Sequence, residues 1–345
     1  MRAIVKESPG TGLTLRDMPS PKLAPGQVLI SVKRVGLCGT DLHIYHWDAW
    51  ARGRIHPPLI IGHEFSGVIA EVGPGVQELH PGDRVTAEGH IACGVCTQCR
   101  TGQSHICRQV EIIGVDIHGA FAELVAMPAA NVWKLDDEIS FDVGALHDPL
   151  GNAFHTVMST DVRAKRVLVL GCGPIGTFCV AIARATGASL VVASEVSASR
   201  REMARRMGAQ LVLDPSSEPV AEAMARATGG EGADVVLEMS GNPGAIREAF
   251  RAVHDGGEVA LLGLPSEEVP LDVTRDIIFK GLTIHGIVGR RMFETWYQMR
   301  AYLLGGLIDP SPVVTHRFRM DQVEDAMKAI ASGAGKVIFN LEESF

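Results

Sequence analysis

Apolar positions take two textures along this chain. Up to about residue 130 they form short, partly alternating runs broken by Gly and Pro, and Val28 to Val35, Val68 to Val72 and Arg84 to Thr86 read as strands of a barrel-like β domain. From about residue 150 the apolar runs become continuous and are separated by stretches of helical period. Arg166 to Leu170, Leu190 to Ser194, Leu211 to Leu213, Val235 to Met239, Glu258 to Leu262 and Thr283 to Val288 read as six buried strands, with Ile175 to Thr186 and Arg200 to Met207 among the helices between them. Buried parallel strands joined by helices make a doubly wound sheet, so the fold class is α/β. Beyond about Met292 the pattern is helix, helix and a last strand, Lys336 to Leu341, expected to dock back on the first domain. The expected division is therefore residues 1–149 with 290–345 as a β-rich domain, and residues 150–289 as the doubly wound one.

Composition agrees with that division and narrows the class. A chain of 345 residues suits two domains at ~150 residues each, and 46% hydrophobic residues with 38 glycines fit a turn-rich α/β protein. Forty acidic against 32 basic residues give a formal charge of −8 with no basic block, so neither nucleic acid nor an anionic membrane is an expected partner. The longest uncharged stretch, Val167 to Ala183, is shorter than the ~20 residues of a membrane helix and is interrupted by G-C-G-P-I-G. Met1 to Glu7 carry charges and no signal-peptide core, which makes the expected location cytoplasmic. Seven cysteines, four of them between positions 93 and 107, read as reduced ligands, with Cys172 and Cys179 as small buried residues.

The chemistry sits in three places. Cys38, His63 and Glu64 offer a thiolate, an imidazole and a carboxylate, the mixed donor set of a zinc site that keeps one position open for reaction. Each alone has an ordinary structural reading; together they point to metal. Cys93, Cys96, Cys99 and Cys107 follow as C-x2-C-x2-C-x7-C, enough to close a tetrahedral shell. A disulfide pair and an iron–sulfur cluster are the alternatives, but the ferredoxin run has a last gap of three followed by Pro, whereas here the gap is seven and Arg108 follows. Gly171, Gly173 and Gly176 stand between a predicted strand and helix, the setting in which G-x-G-x-x-G binds a dinucleotide pyrophosphate. Glu195 ends the second strand 19 residues past Gly176, where a carboxylate binds ribose hydroxyls and repels a 2′-phosphate; this predicts NAD, with Arg200 and Arg201 just beyond.

The pattern G-H-E-x-x-G with a later glycine, here Gly62, His63, Glu64, Gly67 and Gly73, resembles the zinc-dependent medium-chain alcohol dehydrogenase family. Narrower blocks from Cys38 (C-G-T-D-L-H-I-Y-H-W-D-A-W), Glu88 (E-G-H-I-A-C-G), Asp148 (D-P-L-G-N-A-F-H-T) and Gly289 (G-R-R-M-F-E-T-W) resemble a branch of it that oxidises L-threonine. The resemblance implies a GroES-like catalytic domain, a Rossmann domain, NAD, and two zinc ions per subunit, one catalytic and one structural. It implies the reaction of L-threonine with NAD⁺ to L-2-amino-3-oxobutanoate, NADH and a proton. Thr40 and His43 are then a proton relay and Asp148 a carboxylate close to the metal, with His147 an added titratable neighbour. By the same similarity Ile175 backs the pyrophosphate turn, Arg200 borders the adenosine, and Leu262, Gly263, Leu264, Ile287 and Val288 line the nicotinamide side; Glu195 replaces the Asp of the relatives. His90 and Arg290 are candidates for touching substrate. A polyol or 2,3-butanediol dehydrogenase shares all the metal features, and a non-catalytic NAD-binding protein is the reading outside enzymes. The poorly protected sixth strand, Thr283 to Val288, predicts pairing with a second copy, and the resemblance extends this to a homotetramer.

Overall fold

A computed structural model describes residues 1–342, so the last three positions of the expected 290–345 segment lie outside the described residues. The chain divides into two units, one holding Met1–Asp148 and the stretch from Pro310, the other Pro149–Asp309.

In the first unit the central strand is Gln27–Leu37. Its alternation buries Val28, Ile30 and Val32 against Phe65, Ile69 and Val125, and a register shift after Val32 turns Val35 and Leu37 inward as well. On one side it pairs antiparallel with Glu64–Val72, placing Gly36 opposite Glu64; on the other it pairs with Lys336–Asn340, placing Leu37 opposite Val337. Arg84–Ala87, Val132–Lys134, Leu124–Pro128 and Val314–Phe318 complete a seven-stranded sheet. The last strand among the described residues is thus hydrogen-bonded next to the strand that leads into Cys38.

The second unit is a six-stranded parallel sheet. Its order is Leu211–Leu213, Leu190–Ser194, Arg166–Leu170, Ala233–Glu238, Val253–Leu261, Thr283–Gly286, with the reversal of order falling beside Arg166–Leu170. That reversal opens a crevice at the strand ends, where the Gly171 turn lies. Helix Pro174–Thr186 starts with Pro at its first turn and stops at Gly187 in the left-handed region, φ 100°. The fifth strand begins five residues earlier than the apolar run from Glu258 indicates. His254 to Gly257 fall in a register irregularity of this strand, between the pairs Ala233–Val253 and Val235–Glu258. The sixth ends at Gly286 instead of Val288.

The expected boundary at residue 290 is corrected: residues 290–309 belong to the second unit. Trp296, 1% exposed, and Arg290 press against Gly151, and Tyr302 meets Phe154 edge to face at 5.1 Å. These aromatic contacts bind helix Glu294–Leu304 to the sheet unit, a preference that the alternation of helix and strand in the sequence does not encode.

Candidate active site and metal centres

Cys38 closes the central strand and caps helix Gly39–His46, whose Asp41 accepts the Cys38 amide at 2.8 Å. His63 and Glu64 enter the adjacent strand directly after Gly62. At Gly62 φ is 90°, and a Cβ would fall 2.0 Å from the Phe121 ring, so only glycine lets the chain turn there. Strand register then brings the three side chains together: one donor atom each from Cys38, His63 and Glu64 lies within 4.8 Å of the others. Thr40 Oγ1 stands 3.8 Å from Cys38 Sγ. The exposed His43 bonds Asp48 through Nδ1.

The electrostatics of this cluster suit a cation. Asp41, Glu64 and Asp148 are 0%, 2% and 7% exposed, an excess of buried acid over the available bases. Burial pushes the Asp41 carboxyl up to about 6 despite His63 and the Cys38 amide. Burial by itself lowers His63, but the Cys38 sulfur, Asp41 and Asp148 outweigh it and carry the imidazole up to about 10. Lys336, 3% exposed, forms an ion pair with Glu64. Burial opposes its charge, yet Glu64, Cys38 and Asp148 hold its pKa above the usual lysine range. A divalent ion would relieve the same imbalance. Sequence reasoning missed Lys336 because a lysine opening K-V-I-F-N reads as a solvated strand end; only its register beside Gly36 and Glu64 reveals it.

The four cysteines form a second group, with all sulfurs within 4.8 Å of one another. Cys96 Sγ lies 3.5 Å from Cys99 Sγ and 3.9 Å from Cys107 Sγ, close to the ~3.8 Å edge of a zinc–thiolate tetrahedron. These separations exceed a disulfide bond and leave no room for the several atoms of an iron–sulfur cluster. Backbone amides of Cys99 and Arg108 lower Cys96 to about 6, so thiolate is already favoured there.

In the sheet unit the glycine turn is tightly built. A Cβ on Gly176 would sit 1.9 Å from the Gly171 carbonyl oxygen, and Thr177 Oγ1 donates to the Cys172 carbonyl at 2.9 Å. Glu195 is buried: its carboxylate accepts the Cys172 amide at 2.8 Å and the Ser197 amide at 2.9 Å, and so braces the turn as well as facing it. Arg201 is committed elsewhere, bonding Asp214 at 3.0 Å and the carbonyls of Glu195 and Val196. Gly171, Glu195, Ser240 and Arg247 line a cavity of ≈730 Å³, with Ile175 and Arg200 partly buried in the same unit. Leu262 and Gly263 donate their amides to the Glu238 carbonyl, Ile287 is buried, and Leu264 and Val288 are exposed. Arg290 is 1% exposed, enclosed with Gly151 and Trp296. His90 is held by Glu88, which accepts its backbone and ring N–H groups.

Residues 24–137 match the alcohol dehydrogenase GroES-like domain and residues 174–304 the zinc-binding dehydrogenase domain. An L-threonine 3-dehydrogenase of Caldanaerobacter subterraneus is 46% identical over 98% of this chain and 98% of its own. A Sinorhizobium meliloti protein described as a zinc-binding dehydrogenase, solved with NADP, superposes with TM-score 0.91 at 31% identity over 99% of each chain. The 2R,3R-butanediol dehydrogenase of Bacillus subtilis does so with TM-score 0.88 at 30% identity, again over 99% of each. With its paired domains, glycine turn and two donor clusters, the chain belongs to the zinc-binding dehydrogenase family, as an oxidoreductase whose cofactors are NAD and zinc.

Proposed function

We propose that this chain oxidises the 3-hydroxyl of L-threonine, giving L-2-amino-3-oxobutanoate while NAD⁺ becomes NADH and one proton is released. The convergence of Cys38, His63 and Glu64 supports the chemistry. Full-length identity of 46% to an L-threonine 3-dehydrogenase, against 30% to a butanediol dehydrogenase, supports threonine over a diol.

Cys38, His63 and Glu64 are the residues that would hold the reactive zinc, and Cys93, Cys96, Cys99 and Cys107 those that would hold the structural one. When bound, the zinc acidifies the substrate hydroxyl and NAD accepts the hydride. Thr40, beside the Cys38 sulfur, accepts the hydroxyl proton as it releases its own, and the exposed His43, held by Asp48, takes that released proton and gives it to solvent. The Asp148 carboxylate keeps the surroundings of His63 negative as that proton leaves. Gly171, Gly173, Ile175 and Gly176 cradle the pyrophosphate and Glu195 the ribose, with Arg200 at the adenosine. Leu262, Gly263, Leu264, Ile287 and Val288 supply an apolar wall that excludes water from the nicotinamide side.

The enzyme acts in the cytoplasm as a homotetramer. Among the described residues the strand Thr283–Gly286 has one neighbour, and Ile284 and Val288 are exposed beside it, which supports pairing with a twofold mate. No helix among the described residues is long and apolar enough to cross a membrane.

NADH formation measured by absorbance across L-threonine, L-serine, 2,3-butanediol and sorbitol tests the substrate. Highest kcat/KM on L-threonine is expected; a diol or polyol in first place overturns it. Light scattering should give four times the 36.9 kDa chain mass.

A further inference from the structure

Glu238, at the end of the fourth strand of the cofactor sheet, is fully buried, and the groups that meet its carboxylate are uncharged. Oε1 accepts the Ser240 amide at 2.9 Å, the Ser240 hydroxyl, and the Gly241 amide at 3.1 Å, with Oε2 3.2 Å from the same amide. A buried carboxylate without a cation is costly, and an apolar side chain would fill the space more cheaply. What it provides is acceptors for several converging donors.

Those donors belong to a turn on which two other loops rest. A Cβ on Gly171, in the turn after the first strand, would come 2.7 Å from Ser240 Cβ. A Cβ on Gly263, after the fifth strand, would come 2.1 Å from the Gly241 nitrogen and 2.7 Å from Glu238 Oε2. The Glu238 carbonyl also accepts the Leu262 and Gly263 amides at 3.0 and 3.2 Å. Ser240 lines the same cavity as Gly171 and Glu195. One carboxylate therefore sets the turn against which both the pyrophosphate loop and the Leu262–Leu264 segment are packed.

We infer that Glu238 is a positioning residue for the dinucleotide: through Ser240 and Gly241 it fixes the spacing between the glycine turn and the segment assigned to the nicotinamide side. The inference rests on the cofactor reading above. Glu238→Gln keeps the volume and one acceptor oxygen but sets an NH₂ where Oε2 lies 3.2 Å from the Gly241 amide, and this donor–donor contact displaces the turn.

The test is NADH titration of the full chain by fluorescence, with steady-state kinetics and thermal melting alongside. Glu238→Gln should raise the NADH Kd and the KM for NAD about tenfold, while kcat falls less than about threefold and the KM for threonine stays near wild type. Ser240→Ala, which removes a donor to Glu238 and the acceptor of the Asn242 amide, should raise the NADH Kd about threefold and decides the matter if Glu238→Gln does not fold. Unchanged NADH affinity in the folded variants, whatever their melting point, overturns the inference and leaves Glu238 a packing residue. Wild-type protein that binds no NADH overturns the cofactor reading itself, and the inference with it.

Discussion

The two donor clusters of the first unit are built on opposite principles. The four cysteines lie on one surface loop between residues 93 and 107, and backbone amides of that loop point at their sulfurs. The Cys38 cluster draws on three strands: Gln27–Leu37 delivers Cys38, Glu64–Val72 delivers His63 and Glu64, and Lys336–Asn340 adds the ammonium that pairs with Glu64. A sealed site needs only thiolates close in sequence. An open site with buried charge needs a folded scaffold to hold groups that repel one another and resist desolvation.

Breaking each site therefore has a different consequence. Cys38→Ser should lower turnover about a thousandfold or more, the scale of Lewis-acid assistance, while leaving the melting point and NADH binding near wild type. Cys96→Ser should keep the chemistry but lower the melting point by several degrees, because it opens a structural shell. Metal analysis should find two zinc ions per wild-type chain and one in each variant. Full activity in Cys38→Ser would end the assignment.

Removing the compensating cation probes the scaffold directly. In metal-free protein Lys336→Met leaves the Glu64 carboxylate buried without its partner and should cost about 3–5 kcal/mol in chemical denaturation. The double change Lys336→Met with Glu64→Gln should recover most of it. Equal losses in the single and double variants would show that Lys336 contributes only packing.

His147 makes the stability of the fold depend on pH. Burial holds it down to about 4 although its Nδ1 lies 3.1 Å from the Val143 carbonyl, so it is neutral in the fold. Unfolded, it titrates near ~6.5 and binds more protons than the native state between those values. Its contribution is therefore fully present above about pH 6.5 and falls by up to about 3 kcal/mol as pH drops toward 4. His147→Gln should flatten the stability profile in that window, and an unchanged slope would place the acid sensitivity elsewhere.

The smallest effect concerns cofactor choice. Glu195→Ser should narrow the NAD over NADP preference about tenfold, and because Glu195 also braces the Cys172 amide, NAD affinity should fall too. Arg201 gives little help while Asp214 and two carbonyls hold it, so adding Asp214→Ala should shift the preference further. The ratio of kcat/KM for the two cofactors checks this; wild-type preference for NADP would contradict it.

Much of the fold was legible because its signals are local. The continuous apolar strands of residues 166–286, the glycine turn before helix Pro174–Thr186 and the cysteine spacing all depend on near neighbours, and the structure has them within a few residues of expectation. Misreadings occurred where distant packing overrides local pattern. His254 to Gly257 carry turn residues yet run within a strand, and helix Glu294–Leu304 joins the sheet unit through Trp296 and Tyr302. Glu238 was invisible for the same reason, since nothing nearby in sequence marks an acid at a strand end as buried.

Sequence by itself determined which chemical groups this protein owns and the kind of element that carries each, because residue type, spacing and period are properties of the chain. Tertiary structure decided which of them meet. Lys336 reaches Glu64 and Gly263 abuts Glu238 only through strand register and close backbone approach. Folding then decided their charge states: burial carries Asp41 up to about 6 and His147 down to about 4, while the Cys38 sulfur, Asp41 and Asp148 carry His63 up to about 10 against its burial, because the cost of a charge depends on surroundings that the sequence brings together only on folding.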